Sequence, residues 1–237
     1  MDFGNISTNI IKKGLVFNMD AANRASYPKT GTTAIDTVNN LSGSLENGIT
    51  FLQPPISASC WEFDGIEDYI VCEAFPFTEE TGLTVSAWIF PTAVGTSAAE
   101  AAISSDITAV SNKRAFYLAL YAFSKVRWQM STTTYNKNSL DANNTLNLNQ
   151  WNNMVGTWDA VTMALYINGT LIDSESSGVA NGTFSSTNNI IIGMREPSAG
   201  TPGAFPGNIA NTHIYNRALS ANEVLHNYNA LKGRFSL

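Results

Sequence analysis

The sequence predicts an all-β protein, a two-sheet antiparallel sandwich of the jelly-roll type with one short helix at its C-terminus. Three observations lead to this fold class: short segments of alternating apolar and polar residues, Gly, Asn, Pro and Ser between those segments, and one well-capped helical pattern near the end. Close spacing of many short strands is typical of two packed sheets. No repeat period and no Pro- or Gly-rich linker divides the 237 residues, so one domain is expected.

Eleven segments have the alternation of strands, and two long connections lie between them. We predict strands over residues 14–20, 59–65, 68–74, 83–91, 114–122, 125–131, 152–160, 162–167, 170–175, 188–195 and 208–217. The connection 92–113 is expected to contain one further short strand. In the connection 132–150 the pattern places none, and long loops of this kind often carry binding residues.

The most specific turn pattern is Asn168-Gly169, in the segment YINGTLI. These two residue types accept the positive φ angles of a type I′ turn, which joins two strands into a tight hairpin. Residues 162–175 are therefore predicted to form a β-hairpin.

The helical pattern lies in LSANEVLHNYNALKG. Ser220 and Glu223 have the spacing of a capping box, and Leu219 and Val224 have the spacing of a hydrophobic staple. Gly233 is expected to end the helix. The face predicted to pack on the sandwich carries Val224, Tyr228 and Leu231.

Composition restricts the classes of partner. A net charge of −6 and a pI near 4.8 argue against nucleic acid and anionic membrane surfaces, which attract clustered Lys and Arg. The segment MDFGNISTNIIKK, residues 1–13, has no apolar signal-peptide core, and no run reaches the ~18 apolar residues of a membrane span. Neither a signal peptide nor membrane insertion is therefore expected.

The segment WEFDGIEDYI, residues 61–70, holds four carboxylates. Glu62, Asp64 and Glu67 match the spacing that laminarinase-type β-glucanases use, where nucleophile and acid/base lie ~5–5.5 Å apart on one surface. Asp64-Gly65, however, predicts a chain reversal, which would take Glu67 off the strand of Glu62. The sequence therefore predicts a hairpin and no catalytic residues.

The predicted hairpin has a definite register. With its turn centred on Ile66, Phe63 lies opposite Tyr69 and Trp61 lies opposite Val71. Directly opposed residues share one face of a sheet. These four apolar side chains are therefore expected to form a buried face of the sandwich.

The same turn offers oxygen ligands for calcium in Asp64, Glu67 and Asp68. No EF-hand-like spacing supports a calcium site, so a solvated turn is the favoured alternative and no metal ligand is assigned. The two histidines, His213 and His226, are too few for a histidine-rich zinc site.

The two cysteines lie opposite each other in the predicted hairpin. Cys60 and Cys72 could therefore form a cross-strand disulfide, or they could be small buried apolar residues with free thiols. Free thiols are the favoured alternative.

Several phrases together resemble a known family. In chain order they are GLVFNMDAAN, WEFDGIEDYI, LTVSAWIFP, WNNMVGTWDAVTMALYING, IIIGMR and GNIANTHIYNRALSANEVLHNYNALKGRF. They are similar to the laminin-G-like jelly rolls of the concanavalin A-like lectin and glucanase superfamily over residues 14–235. The resemblance implies that the FDGxxDYI phrase is a structural hairpin. Calcium-binding relatives often carry an acidic residue where this chain has Ala210-Asn211, and this difference weakens the case for a metal.

The two ends of the chain look like proteins of tailed bacteriophages that decorate heads or build fibres. That resemblance implies a non-enzymatic virion structural, decoration or adhesion protein, assembled in the host cytoplasm and exposed on the particle. Its partners would be other virion proteins, bound through an N-terminal arm (1–13) ahead of the jelly roll (14–237) or through homo-oligomerisation, and cell-surface glycans. The alternative is a carbohydrate-binding, lectin-like module of an extracellular bacterial protein.

Four residues are candidates for glycan contact. Sugar recognition commonly uses an aromatic ring with polar side chains beside it, and most aromatic residues here lie in strands where a core position is expected. Trp128 and Tyr135 are less clearly buried, and Arg127 lies next to Trp128. Arg195 begins the loop REPSAGTPGAFPG and is the fourth candidate.

Overall fold

A computed structural model describes most of the chain. The described residues are 9–54, 58–74, 77–93, 99–105, 116–121, 125–131, 137–143, 146–176, 184–186, 188–195 and 203–237. Its strands are β1 (Leu15–Asp20), β2 (Thr33–Ile35), β3 (Ser42–Glu46), β4 (Thr50–Leu52), β5 (Cys60–Asp64), β6 (Tyr69–Ala74), β7 (Phe77–Glu80), β8 (Leu83–Pro91), β9 (Glu100–Ser105), β10 (Phe116–Tyr121), β11 (Lys125–Ser131), β12 (Lys137–Ala142), β13 (Asn152–Trp158), β14 (Met163–Ile167), β15 (Thr170–Glu175), β16 (Phe184–Ser186), β17 (Asn189–Ile192), β18 (Met194–Arg195), β19 (Gly203–Ala204) and β20 (Pro206–Tyr215). Helix α1 (Ala221–Leu231) and a 3-10 turn (Lys232–Phe235) follow.

Two eight-stranded antiparallel sheets form the sandwich. The first has the order β15-β14-β13-β8-β20-β5-β4, with β1 also paired to β20, and the second has the order β12-β11-β10-β9-β17-β6-β3-β2. Two small sheets, β16-β7 and β18-β19, complete the described strands. The predicted fold class, an antiparallel jelly-roll sandwich with one C-terminal helix, is confirmed.

The apolar core fills the space between the two sheets. Alternate residues of each strand point into it, as a half-buried β surface requires. Its largest fully buried side chains include Phe17, Trp61, Phe63, Phe116, Trp128, Trp158 and Phe205. A smaller cluster with Trp88 and Phe235 lies on the other side of the first sheet, beneath the C-terminal segment.

The hairpin predicted for residues 59–74 is wrong. Strand β5 pairs with β4 and β20 in the first sheet, whereas β6 pairs with β3 and β17 in the second. The connection does reverse direction, because Gly65 has a φ of 79° and the Asp64 carboxylate accepts the Ile66 N–H at 2.8 Å. An Asp-Gly pair therefore predicted the turn correctly, but it carries no information on which sheet the next strand joins.

This crossing also changes the predicted buried face. Trp61 and Phe63 do lie in the core, but Ile70 of β6 lies there with them. Tyr69 and Val71 pack instead on the outer face of the second sheet. The reason is that a chain passing from one sheet to the other presents its alternate residues to the core from the opposite side.

Cys60 and Cys72 are not joined by a disulfide. Cys60 and Cys72 are both buried, and they belong to strands of different sheets. Cys60 lies in the cluster beneath the C-terminal segment and Cys72 in the main core. Burial raises the pKa of the Cys72 thiol, which keeps it in the neutral form. The cross-strand disulfide considered above depended on the incorrect hairpin.

Two local predictions are confirmed. Asn168 and Gly169 have φ angles of 51° and 78° and join β14 to β15. Ser220 and Glu223 form the complete capping box of helix α1. Gly233 does not end the helix in a left-handed conformation, because the chain continues into the 3-10 turn and Ser236 has the positive φ of 60°.

Part of the predicted N-terminal arm packs against the C-terminal segment. The Ile11 N–H donates to Asn227 Oδ1 at 2.8 Å, and the Ile11 carbonyl accepts from the Tyr215 hydroxyl at 3.0 Å. Ile10 is buried beside Leu231. Residues 9–13 are thus held by β20 and helix α1, whereas residues 1–8 lie outside the described residues.

The cap of helix α1 contains an ion pair between Arg217 and Glu223. The Glu223 carboxylate accepts hydrogen bonds from both terminal nitrogens of Arg217, at 2.7 and 2.8 Å. These bonds lower the pKa of the Glu223 carboxyl to about 2. Since the folded-state pKa lies below the ordinary value, the ionised carboxylate stabilises the fold above pH ~4.5, and this contribution disappears as the pH falls towards 2.

We therefore expect Glu223→Gln to lower the urea midpoint at pH 7 and to have little effect near pH 2. Urea unfolding curves at a series of pH values measure the difference. A midpoint difference between variant and wild type that stays constant from pH 7 to pH 2 would contradict the proposed role of the ionised carboxylate.

Candidate functional site

The outer face of the second sheet carries a group of polar and aromatic side chains on β10, β11 and β12. Phe116, Leu118 and Leu120 of β10 point into the core, so the alternate residues of the same strand lie on the outer face. Arg195 on β18 lies next to this group, with its guanidinium carbon 5.9 Å from the Tyr117 ring centroid. We call this surface the arginine–tyrosine face and define it by Tyr117, Tyr121, Arg127, Gln129, Asp141 and Arg195.

Arg127 is the cation of the face that forms an ion pair with a carboxylate. It lies opposite Asp141 in the ladder between β11 and β12, and its Nε and Nη2 donate to the two Asp141 oxygens at 2.6 Å each. Its guanidinium carbon lies 3.4 Å above the centre of the Tyr121 ring. Stacking and bidentate pairing together fix the plane of the guanidinium before any ligand arrives.

The electrostatic balance at Arg127 favours the charged form. Burial lowers its pKa, but hydrogen bonds with Asp141 and with Tyr117 raise it by more, so the pKa lies above the ordinary value. Arg127 therefore stays charged at any pH at which the protein is folded. Its side chain is only 14% exposed, so only a small part of the charged group is in contact with solvent.

Tyr117 and Gln129 form the floor of the face. They are directly opposite each other in the β10–β11 ladder, and the Tyr117 hydroxyl donates to Gln129 Oε1 at 2.7 Å. Both side chains are buried. Ala101 and Ala119 lie beside them, and these small residues leave the aromatic rings room to lie against the sheet.

The structure places the four predicted contact residues in different environments. Arg127 and Arg195 lie on the arginine–tyrosine face. Trp128 is fully buried in the core and its indole N–H donates to the Thr157 carbonyl at 3.1 Å. Its position as a surface contact is therefore corrected: Trp128 follows Arg127 in the strand, and adjacent strand residues point to opposite faces. Tyr135 lies outside the described residues.

The sequence did not single out Tyr117, Tyr121, Gln129 or Asp141. The alternation of β10 and β11 could have placed the first three on the side opposite Trp128. Asp141 could not be assigned, because β12 lies in the connection 132–150, where no strand was predicted. Because β12 was not predicted, Asp141 could not be recognised as the partner of Arg127.

The carboxylates of the acidic turn are distributed over β5 and the crossing to the second sheet. Glu62 is exposed on β5 of the first sheet, while Glu67 is exposed in the crossing to the second. Asp68 is buried, and its Oδ2 accepts the Asp64 N–H at 3.0 Å. Burial and the surrounding carboxylates raise the pKa of Asp68. Within the described ranges, no three His, Cys, Asp or Glu side chains come close enough to hold a metal ion.

A second polar group lies between the first sheet and the C-terminal segment. Asp20 accepts two hydrogen bonds from Arg234, at 2.8 and 3.0 Å, and is opposite Asn211 in the ladder. The Asn211 amide is fully buried and has no hydrogen-bond partner among the described residues. Burial lowers the pKa of the neighbouring His213 to about 4, which leaves the imidazole neutral at pH 7. Asn211 and His213 are buried, and Asp20 and Arg234 pair with each other, so this group is not taken as the candidate site.

Neither of the helical segments in the described part of the chain has the length and apolar character that a membrane span requires.

Comparison with protein families supports the fold assignment. Residues 64–225, more than half of the chain, match the family model Laminin_G_3, described as the concanavalin A-like lectin/glucanases superfamily. The matched range begins at the crossing between the sheets and ends in helix α1. No curated protein sequence matches the chain.

Several solved structures have a similar fold. They include the ligand binding domain of botulinum neurotoxin serotype D in complex with N-acetylneuraminic acid, with a TM-score of 0.67 and 14% identity. The binding domain of Paraclostridial Mosquitocidal Protein 1 has a TM-score of 0.65 and 17% identity, and the receptor binding domain of botulinum neurotoxin type G has 0.64 and 14%.

These structural matches cover 91%, 92% and 92% of this chain but only 50%, 52% and 51% of the respective neighbours. The chain thus spans about half the length of the structures it matches. At these identities the likeness shows the fold alone, and the ligand of a neighbour is not assigned to this chain by it.

Proposed function

Since this chain belongs to the concanavalin A-like lectin/glucanase superfamily, we propose that it is a non-enzymatic adhesion module that binds glycans through the arginine–tyrosine face. The observation that carries the proposal is the position of Arg127, stacked on Tyr121 and paired with both oxygens of Asp141. An aromatic ring, a fixed guanidinium and a carboxylate offer an apolar surface, donors and acceptors at neighbouring points. Sites of this kind bind a ligand with little ordering of their own side chains.

The composition of the face favours binding over hydrolysis. Glycoside hydrolysis commonly needs two carboxyl groups, either ~5–5.5 Å or ~6.5–9.5 Å apart, on opposite sides of the scissile bond. Asp141 is the one carboxylate among the residues that define the face, and Arg127 occupies both of its oxygens. A carboxylate held in this way is a poor nucleophile, because both of its oxygens already accept hydrogen bonds from Arg127.

The names of the structural neighbours agree with a binding function. The structures with a similar fold are named as binding domains, and one of them is a complex with N-acetylneuraminic acid. The proposal that this chain also binds glycans rests on its own surface, with those names as additional support.

Tyr121→Ala tests the proposal directly. We expect wild-type protein to bind at least one structure on a glycan array, and we expect the variant to bind it roughly tenfold more weakly, equivalent to ~1.4 kcal/mol. Tyr69→Ala is the matched control, because Tyr69 is also partly buried on the outer face of the second sheet but lies on β6. Equal loss in both variants, or no binding by wild type, would contradict a site at Tyr121.

We propose further that the module is exposed on the virion of a tailed bacteriophage and is assembled in the host cytoplasm. The proposal is supported by the resemblance of the two ends of the chain to proteins of such particles. Docking through the N-terminal arm, residues 1–13, or homo-oligomerisation would attach it. Stoichiometric banding with intact particles in a density gradient is expected. Recovery only in soluble or cell-envelope fractions would instead favour a lectin-like module of an extracellular bacterial protein.

A further inference from the structure

We propose that Arg195 is the anchor for an anionic group of the glycan, a carboxylate or a sulfate ester, so that the arginine–tyrosine face selects acidic over neutral glycans. This inference rests on the proposed glycan-binding function and names the class of ligand. Two features of the structure lead to it: the unsatisfied hydrogen-bonding capacity of Arg195 and its fixed position at the face. The net negative charge of the whole protein restricts the contact to short range.

Arg195 differs from the other arginines that are partly buried. Arg127, Arg217 and Arg234 each form a bidentate ion pair with a carboxylate, namely Asp141, Glu223 and Asp20 respectively. Arg24 is exposed. Arg195 is therefore the one partly buried arginine in the described ranges without a carboxylate partner.

The Nε of Arg195 is buried and has no acceptor among the described residues. An N–H group of a charged side chain that is removed from water without an acceptor is destabilising by more than a neutral group would be. Arg195 as a whole is only partly buried, so an anionic group of a ligand would bind the exposed part of the guanidinium and compensate for its charge. Arginine is also the side chain best suited to planar carboxylates and to sulfate-like groups, because its nitrogens form a fork that donates two parallel bonds.

The local backbone holds Arg195 at the face. Gly193 turns the chain after β17 with a φ of 86°, and its N–H donates to the Ala102 carbonyl at 3.1 Å. Arg195 then pairs with Gly203 in the β18–β19 ladder. A side chain at Gly203 would overlap the Ala99 carbonyl, so β19 can approach β9 this closely only with glycine. The guanidinium over Tyr117 is thus set by paired strands on both sides of the turn.

Because the protein has a net negative charge, Arg195 can attract an anionic group of a glycan only at short range. The protein carries a formal charge of −6, so its long-range field repels acidic glycans. An acidic glycan can be preferred only if a nearby cation compensates for that repulsion over a few ångströms. Arg127 is already neutralised by Asp141, which leaves Arg195 as the cation of the defined face that is available to a ligand.

The experiment compares wild type, Arg195→Gln and Lys125→Gln on an array that carries the same oligosaccharide backbones in three forms: neutral, with terminal N-acetylneuraminic acid, and with a sulfate ester. Lys125 lies opposite Tyr121 in the β10–β11 ladder. Lys125→Gln removes one positive charge, as Arg195→Gln does, and therefore controls for the change in the net charge of the protein. We expect wild type to bind an acidic form at least tenfold more tightly than its neutral backbone. Arg195→Gln should bind both forms alike, while Lys125→Gln should keep the preference.

The outcomes separate this inference from the function on which it rests. Wild-type binding to neutral backbones with no preference for acidic forms would overturn the role of Arg195 and leave glycan binding intact. A preference that persists in Arg195→Gln would also overturn it. Binding to no glycan at all would contradict both proposals. Thermal melting checks that each variant is folded. If Arg195→Gln does not fold, Arg195→Lys is measured in its place. This variant keeps the positive charge but loses the two parallel donors of the guanidinium, so it should retain only part of the preference for acidic glycans.

Discussion

Trp128→Ala is expected to destabilise the protein by about 3–5 kcal/mol, as truncation of a large core aromatic residue commonly does. Trp128 is fully buried and its ring packs directly on the backbone of Gly156 in the opposite sheet, where an added Cβ would overlap the indole. Its N–H also donates to the Thr157 carbonyl. The residue thus joins the two sheets by packing and by a hydrogen bond. With total stabilities commonly about 5–15 kcal/mol, this loss would leave a marginal fold.

Urea unfolding followed by far-ultraviolet circular dichroism measures the effect. Trp128→Phe is the control: it keeps a ring in the core but removes the hydrogen bond to the Thr157 carbonyl, which should lower the free energy of unfolding by only about 1–3 kcal/mol. If Trp128→Ala kept wild-type stability while glycan binding was lost, then Trp128 would be a surface contact and its placement in the core would be wrong.

Gly193→Ala is expected to lower the free energy of unfolding by about 2–4 kcal/mol, the combined effect of backbone strain and overpacking. Gly193 has a φ of 86°, and a Cβ there would overlap the ring of Phe63, which is itself buried in the core. The new methyl group would force Phe63 out of its position or move the turn that leads to Arg195. We expect a weaker preference for acidic glycans in this variant for the second reason.

Gly31→Ala provides a closely matched control. Gly31 has the same φ of 86°, but a Cβ there would have no atom within 4 Å. Gly31→Ala is expected to lower the free energy of unfolding only through backbone strain, by about 1–2 kcal/mol. The difference between the two variants in urea unfolding therefore measures the clash with Phe63. Equal losses would show that the ring yields freely and that this part of the core is loosely packed.

Strands were predictable from the sequence to the extent that their pattern is local. All eleven predicted segments contain strands, and the further strand expected between residues 92 and 113 is β9. The short strands β2, β3, β4, β7, β16 and β19 were missed, because two to five residues give no clear alternation. Which strands pair with each other was less predictable than which segments form strands. The Asp64-Gly65 turn looked the same whether β6 stayed in the first sheet or crossed to the second.

The candidate site was predictable only in part, for a related reason. Arg127 and Arg195 were singled out as polar residues beside aromatic or loop segments, and the structure brings both to one face. Their partners come from β10 and β12, which lie next to β11 only once the sheet is assembled. Trp128 was misplaced because its flanking sequence KVRWQMS does not show which of two alternating faces is the core. A single unsatisfied nitrogen, as on Arg195, cannot be read from sequence at all.

The central claim is that this fold binds a glycan at the arginine–tyrosine face without converting it. The most direct measurement is hydrogen–deuterium exchange of the protein with and without a glycan identified on the array, with mass spectrometry of the same glycan after prolonged incubation. We predict slower exchange in β10, β11, β12 and β18, and an unchanged glycan mass. Slower exchange confined to the first sheet and helix α1, or a cleaved glycan, would contradict the claim.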